Sequence, residues 1–389
     1  MTMIKVLLRG LIVLIATAGA VAVPIADGGV ARAEPFSDCG WSRRIGADTV
    51  NVALPDTFAN YWMTAVRDLP AEGLTLRGAF PHGRYISFTS YRGSQTLDGL
   101  GDVRIEPDAG SVNPFLAGAD RTATQRSYTV RVKPGPRPDQ PEPNTLYADP
   151  GLAIVVYRVY RPDTGFDPLG GVGLPEITVH AAGGPRVLPE CASSSQVIDP
   201  NRIQPSDGPA LPALGANYRD WTKTSGNGFI ANPDNTYLAS RVAPPSGQIA
   251  VVVARLPRTP RTFDGQQVMT GAPLRYWSLC SNEFVSTRVS ACVVDDQMPV
   301  NADGEFTVVV SDPADRPADA RIECGVAWLP TTRGATTLLM RNMLPEPDFS
   351  AAIQYAPQDD PAATMGAYYP RTTLVPSAEF AAAGCAGPA

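Results

Sequence analysis

The sequence predicts an all-β protein made of two related jelly-roll-like β-sandwich modules with few short helices. Three observations point there. Short runs of β-branched, aromatic and aliphatic residues recur between Pro, Gly, Asp and Asn breakers, as strands separated by turns do. Proline (39) and glycine (35) together make about 19% of the 389 residues, high against the usual ~12% yet short of low-complexity composition. The order of segments in the first half also recurs in the second. With 44% hydrophobic and 18% charged residues the chain can bury a sizeable core. Its length suits two domains of roughly 100 to 200 residues each.

Residues 1–33 read as a secretory signal: Lys5 and Arg9 form the positive end, residues 11–23 an apolar stretch, and Ala31-Arg32-Ala33 a small-residue site with cleavage after Ala33. Gly19 interrupts and Pro24 breaks the apolar run, which is shorter than the roughly 20 residues of a spanning helix. No transmembrane anchor is therefore expected after cleavage. Cys39 follows Phe36-Ser37-Asp38 without the small apolar context used in lipoprotein processing. Losing Lys5, Arg9, Arg32 and Asp27 moves the formal charge from -6 to -8. An acidic chain with no Lys/Arg-rich block excludes nucleic acid as the expected partner. The expected location is secreted, either extracellular or in the cell envelope.

Residues 34–195 are assigned to the first module and 196–389 to the second, with the boundary in the breaker-rich stretch between Pro185 and Pro212. Asn60-Tyr61-Trp62-Met63 opens the first repeat and Asn235-Thr236-Tyr237-Leu238 the second. Leu74-Thr75-Leu76 answers Ile249-Ala250-Val251, and Arg84-Tyr85-Ile86-Ser87-Phe88 answers Arg275-Tyr276-Trp277-Ser278-Leu279. Tyr128-Thr129-Val130-Arg131-Val132 matches Phe306-Thr307-Val308-Val309-Val310, and the strand at 152–161 matches the one at 336–344. In residues 85–91, Ile86 and Phe88 fall on one face and Tyr85, Ser87, Thr89 and Tyr91 on the other, the two-residue period of a strand. Asn301-Ala302-Asp303-Gly304 reads as a hairpin-type turn. The helix candidates are 349–354, with Asp348 as N-cap, and a short turn at 377–383. The proline-rich insert at 133–143 reads as an extended loop and a spacer.

All six cysteines, Cys39, Cys191, Cys280, Cys292, Cys324 and Cys385, follow the cleavage site, and an even number in an exported chain signals disulfides. The sequence does not choose among the pairings. The duplication makes one set economical: Cys39 with Cys191, Cys280 with Cys292, and Cys324 with Cys385. With no C-x-x-C pair and only two histidines, a zinc site is disfavoured, and no metal or cofactor is expected.

Leu274-Arg275-Tyr276-Trp277-Ser278-Leu279, then Asn301 through Gly304 leading into Glu305-Phe306-Thr307-Val308-Val309-Val310, then Trp328-Leu329-Pro330, and finally Arg341 with Leu344-Pro345-Glu346-Pro347, form one ordered set. This set resembles the β-rich bacterial domain of unknown function numbered twelve-fourteen. The whole chain is similar to uncharacterised secreted proteins of GC-rich actinobacteria that carry such modules. The resemblance spans residues 227–350, and 51–165 more loosely, and implies a jelly-roll-like β fold without an established reaction. The first half lacks the Trp-Leu-Pro triplet, with Asn144-Thr145-Leu146-Tyr147 nearest to its position.

Catalytic motifs are largely missing. There is no G-x-S-x-G elbow, H-E-x-x-H, EF-hand loop or P-loop. His82, in Pro81-His82-Gly83, reads as a turn residue and His180 as a surface one. Gly170-Gly171-Val172-Gly173 lacks the strand-helix context of a phosphate site. Asp163-Thr164-Gly165-Phe166-Asp167 and Asn232-Pro233-Asp234-Asn235 offer too few oxygens for calcium and read as Asx turns.

The repeated Arg-Tyr pair is the sharper signal. Arg84, Tyr85, Arg275, Tyr276, Trp277 and Asn235 are the candidate ligand-binding residues, since Arg beside aromatic and amide groups holds carboxylates or stacks on planar ligands. The preferred reading of these residues is architectural, with Arg packed over Tyr and bonded to loop carbonyls, because duplicated positions usually preserve architecture. For the chain as a whole the favoured function is a binding protein for a small-molecule or glycan ligand. The alternative is a secreted hydrolase or lyase acting on a polymer through Asp234, Asp295 or Asp296. Whether the chain is an enzyme at all stays open at this level, as does a purely structural role.

Overall fold

The computed structural model describes residues 39–93, 95–191, 220–224, 230–283 and 286–385. The cleavage site after Ala33 and the boundary at 195/196 lie outside the described residues. The first module contains β1 (Ala59–Arg67), β2 (Leu74–Ala79), β3 (Gly83–Arg92), β4 (Gln95–Gly101), β5 (Ser127–Pro134), β6 (Thr145–Ala148), β7 (Leu152–Pro162), β8 (Glu176–Ala181) and β9 (Gly184–Val187). The second contains β10 (Thr222–Lys223), β11 (Asn235–Val242), β12 (Gln248–Arg255), β13 (Leu274–Glu283), β14 (Val289–Val294), β15 (Glu305–Ser311), β16 (Ala327–Pro330), β17 (Thr336–Pro345) and β18 (Arg371–Pro376). Two short helices, α1 (Pro361–Met365) and α2 (Ser377–Ala382), lie near the C-terminus.

The chain is all-β, and its strands form four sheets, ordered β1-β7-β3-β4 and β6-β5-β2-β8-β9 in the first module and β10-β11-β17-β13-β14 and β16-β15-β12-β18 in the second. Removing β9 and β10 leaves the same strand order in both, so the duplication read from the sequence is a duplication of structure. Even the single parallel contact recurs: Val132 opposes Leu146 across β5-β6, and Val310 opposes Leu329 across β15-β16. That register puts Thr145-Leu146-Tyr147 where the second module carries Trp328-Leu329-Pro330. The proline-rich insert returns the chain from β5 to the parallel β6, a connection that a tight hairpin cannot make. Arg137 within it pairs with Asp98 of β4 at 2.8 Å.

Each module buries an apolar core between its two sheets. Trp62, Phe88, Tyr128, Val130, Tyr157 and Ile177 fill the first, and Leu238, Val252, Trp277, Phe306, Val308 and Met340 the second. A third cluster joins the modules: Tyr85 and Tyr160 of the first pack against Tyr276, Val294 and Met343 of the second. The β1-β7-β3-β4 sheet is thus covered on both faces, and Tyr85, Ser87, Thr89 and Tyr91 are as buried as Ile86 and Phe88. The polar face of β3, which looks solvent-facing in the sequence, faces a second protein surface.

Three disulfides join Cys39 to Cys191, Cys280 to Cys292 and Cys324 to Cys385. These are the pairs the duplication made economical. The first closes the ends of the first module, the second links opposed residues of β13 and β14, and the third ties the segment after α2 to the loop before β16. Among the described residues no helix is long and apolar enough to cross a membrane.

Three local expectations need correction. Residues 349–354 do not form an α-helix; only the single 3-10 turn Ile353–Tyr355 appears there, and Asp348 caps nothing. The turn at Asn301 through Gly304 forms, with Gly304 at φ 75 and the Asn301 side chain accepting from the Glu305 N–H at 2.9 Å. It does not join paired strands, because β14 and β15 belong to different sheets. Asn60 and Asn235 are not equivalent: Asn235 opposes Met343 as Ala59 opposes Tyr160, so the repeat is offset there by one residue.

Candidate functional site

The modules meet through exchanged ion pairs. Arg84, at the start of β3, donates to Asp295 at 2.8 Å and Asp296 at 3.1 Å in the second module, and to the Thr262 hydroxyl at 2.7 Å. Arg275, at the equivalent start of β13, donates to Asp102 of the first module at 2.9 Å and to the Phe115 carbonyl at 2.9 Å. Each acid also accepts a backbone N–H from its own module, Ile86 to Asp102 at 3.2 Å and Trp277 to Asp295 at 2.8 Å. The duplicated Arg and the duplicated Asp therefore satisfy each other across the seam, related by an approximate two-fold. Arg161 grips Asp296 in a fork at 2.9 and 2.7 Å, and Arg341 of the second module pairs with Asp56 of the first at 3.4 Å.

Burial dominates the electrostatics of this seam. It raises the Asp102 carboxyl to about 6, even though Arg275 pulls the other way. Asp295 is likewise raised by burial against the opposing effect of Arg84. Taking charges out of water costs several kcal/mol per ion, which only well-placed partners offset.

The residues singled out in the sequence are all placed here, but none lines an open cleft. Arg84, Tyr85, Tyr276, Trp277 and Asn235 are buried, and the Arg275 side chain is 11% exposed. Five of the six converge on the seam, whereas Trp277 points into the second core. The Tyr85 hydroxyl donates to Asp234 at 2.6 Å, and burial next to Asp234 raises its pKa well above the usual value. Asp234, Asp295 and Asp296, the carboxylates considered for acid and base roles, are all committed to these seam partners.

An opening lies at the edge of the seam. A pocket of about 650 Å³ is lined by His82, Arg121, Asp163 and Phe166 of the first module and by Phe263 and Gln266 of the second, among others. Its parts are brought together by neighbouring strand ends: His82 precedes β3, Asp163 follows β7, and Gly83 opposes Pro162 between them. Arg121 comes from the long β4-β5 connection and bridges the modules. It donates to Asp163 at 2.5 Å and to the Gln266 carbonyl at 2.5 Å. Phe263 sits on the 3-10 turn Thr262–Asp264, with the Arg161 guanidinium 3.4 Å from its ring centre.

His82 stacks on Phe166 with ring centres 4.3 Å apart and an interplanar angle of 12°. The Gly-rich turn makes this possible: a Cβ on Gly170 would lie 2.5 Å from the His82 carbonyl oxygen, and one on Gly171 2.7 Å from the Phe166 ring. Burial, with Arg126 and Arg121 nearby, lowers His82 to about 4. An NMR titration of this ring is expected to give a midpoint at about 4. A midpoint near the ordinary ~6.5 would contradict the packing against the arginines. Asp163 keeps one carboxylate oxygen buried and without a hydrogen-bond partner. Asp167 accepts the Leu169 and Gly171 N–H groups at 2.9 and 3.0 Å, as the Asx-turn reading expects.

Sequence reading reached His82 and Asp163 only as turn residues and missed Arg121, Arg126, Phe263 and Gln266. Those four lie in loops outside the repeat, and no local motif marks them. Proximity to the ends of β3 and β7 is the signal that joins them, and it exists only in three dimensions.

No family model matches the chain, and no curated protein matches it. Among solved structures, an uncharacterized protein from Burkholderia cenocepacia is similar with a TM-score of 0.53 and 14% identity, over 89% of this chain and 84% of that one. A protein from Vibrio parahaemolyticus aligns with a TM-score of 0.38 and 10% identity, over 82% of this chain and 89% of that one. The Burkholderia likeness is one of fold, and it extends over both modules.

Proposed function

We propose that the protein is a secreted or cell-envelope binding protein that takes a small-molecule or glycan ligand in the pocket between its modules. The observation that carries this reading is the wall of that pocket. An aromatic platform, Phe166 stacked on His82 together with Phe263 of the second module, stands beside polar groups fixed by Arg121, Asp163 among them. Pockets of roughly 300–1,000 Å³ with apolar walls and a few fixed polar groups are the usual form of small-ligand sites. Three disulfides fit an oxidising, extracellular setting. The seam supports the function by holding the two halves of the pocket in fixed register.

The test is a thermal-shift screen of the oxidised chain with neutral oligosaccharides, sugar acids, aromatic acids and short peptides. A ligand at a hundred times its Kd adds about 2.7 kcal/mol of stability. Phe166 is 46% exposed, so Phe166→Ala is expected to leave the fold intact and abolish the shift. A shift that survives in Phe166→Ala would place binding elsewhere.

A further inference from the structure

The charges around the pocket do not cancel where they are buried. Arg121 is answered by Asp163 at 2.5 Å. Arg126 is buried beside them, its guanidinium 2.5 Å from Nε2 and 3.1 Å from Nδ1 of the His82 ring and donating to the Arg121 carbonyl at 3.4 Å. Among the described residues no carboxylate pairs with it, and its Nε has no hydrogen-bond partner. The remaining acids are at the exposed rim. Asp120 is bonded to Thr122 at 2.6 and 2.8 Å, and Asp264 to Arg261 at 2.6 Å. Two guanidiniums thus share one buried carboxylate behind the aromatic wall.

A buried guanidinium without a counter-charge is costly, and the group that best relieves it is a planar carboxylate. Burial and the neighbouring Arg121 lower Arg126 to about 10, which is the same imbalance seen from the side of the proton. The exposed face of Phe166 favours a ring. Taking the pocket as the binding site, we infer that its ligand is a ring compound carrying a carboxylate, held at Arg121 in the pocket wall and drawn by the excess positive charge that Arg126, behind His82 and outside the lining, adds to the Arg121–Asp163 pair. Thr122 and Thr164 in the pocket wall offer hydrogen bonds to hydroxyls on the same ring. Acidic sugars and aromatic acids share this chemistry.

Calorimetric titration of the full oxidised chain with tri-galacturonate, its fully methyl-esterified form and benzoate separates the cases. The esterified sugar keeps the rings and loses only the charge. The acid is expected to bind about tenfold or more tightly than the ester. That preference should vanish in Arg126→Gln and return in Arg126→Lys. Binding of benzoate instead of the sugar acid supports the same inference with an aromatic acid as the source. Should Arg126→Gln fail to fold, the acid preference of the unmodified chain must still fall as salt is raised. Equal affinity for acid and ester overturns the carboxylate inference and leaves the pocket reading standing, provided both weaken in Phe166→Ala. No binding by any of the three probes also overturns it, and the screen with neutral ligands then decides the pocket by itself.

Discussion

Replacing Arg84 by Met is expected to lower folding stability by about 3–5 kcal/mol, the usual cost of removing one partner from a buried ion pair. Its side chain is fully buried, as is Asp295, its nearest partner. Asp296 keeps the Arg161 fork after the change, so the penalty falls on Asp295, left with one backbone N–H from Trp277. Arg84→Met combined with Asp295→Asn should recover part of the loss, because the stranded charge is gone. Urea midpoints at unchanged m-values measure both effects. Arg275→Met should cost less, since that side chain is 11% exposed whereas the Arg84 side chain is fully buried. A loss below about 1 kcal/mol for Arg84→Met would mean that the pair behaves like a surface contact and does not lock the seam.

Asp102 should make the protein less stable as pH rises. Burial pushes its folded carboxyl up to about 6 from the ordinary 3.8, so between those values the folded state holds a proton that the unfolded state has released. The stabilising contribution is complete below about pH 4 and is lost as pH passes through 6. At 1.36 kcal/mol per pH unit, about two units correspond to roughly 3 kcal/mol. His82 acts in the opposite direction: it is lowered to about 4, so its contribution is present above ~6.5 and fades as pH falls through 4. Because that ring is partly exposed, its share is the smaller one. Denaturant midpoints of the unmodified chain and Asp102→Asn, followed from about pH 4 to about pH 7, isolate the Asp102 part. Parallel profiles would show that burial does not hold its proton.

Particular residues show how much of this was legible in the sequence. Ile86 and Phe88 alternate with polar neighbours, so β3 and its core-facing side could be read directly. The repeated Arg84-Tyr85 and Arg275-Tyr276 pairs marked equivalent positions, but not what they touch. Arg84 and Asp295 are 211 residues apart, and Arg275 and Asp102 173 apart. A repeat tells which residues correspond, not that each copy completes the other. The polar side of β3 carries the usual pattern of a solvent-facing sheet, yet the second module covers it; there Tyr85 serves Asp234, and Thr89 and Tyr91 serve Arg158, while the Ser87 hydroxyl finds no partner among the described residues. The one-residue offset at Asn235 comes from matching the two asparagines, whereas the core side chains Trp62 and Leu238 are the equivalent pair that sets the register. The pocket was the least readable feature, since Arg121, Arg126 and Phe263 come from connections that the repeat does not constrain.

The pocket, the seam and the proposed function rest on one claim, that the two modules form a single rigid body. Scanning calorimetry of the full oxidised chain tests it most directly. A single rigid body unfolds in one transition in which the calorimetric and van't Hoff enthalpies agree. Two resolved transitions, each carrying part of the enthalpy, would contradict it.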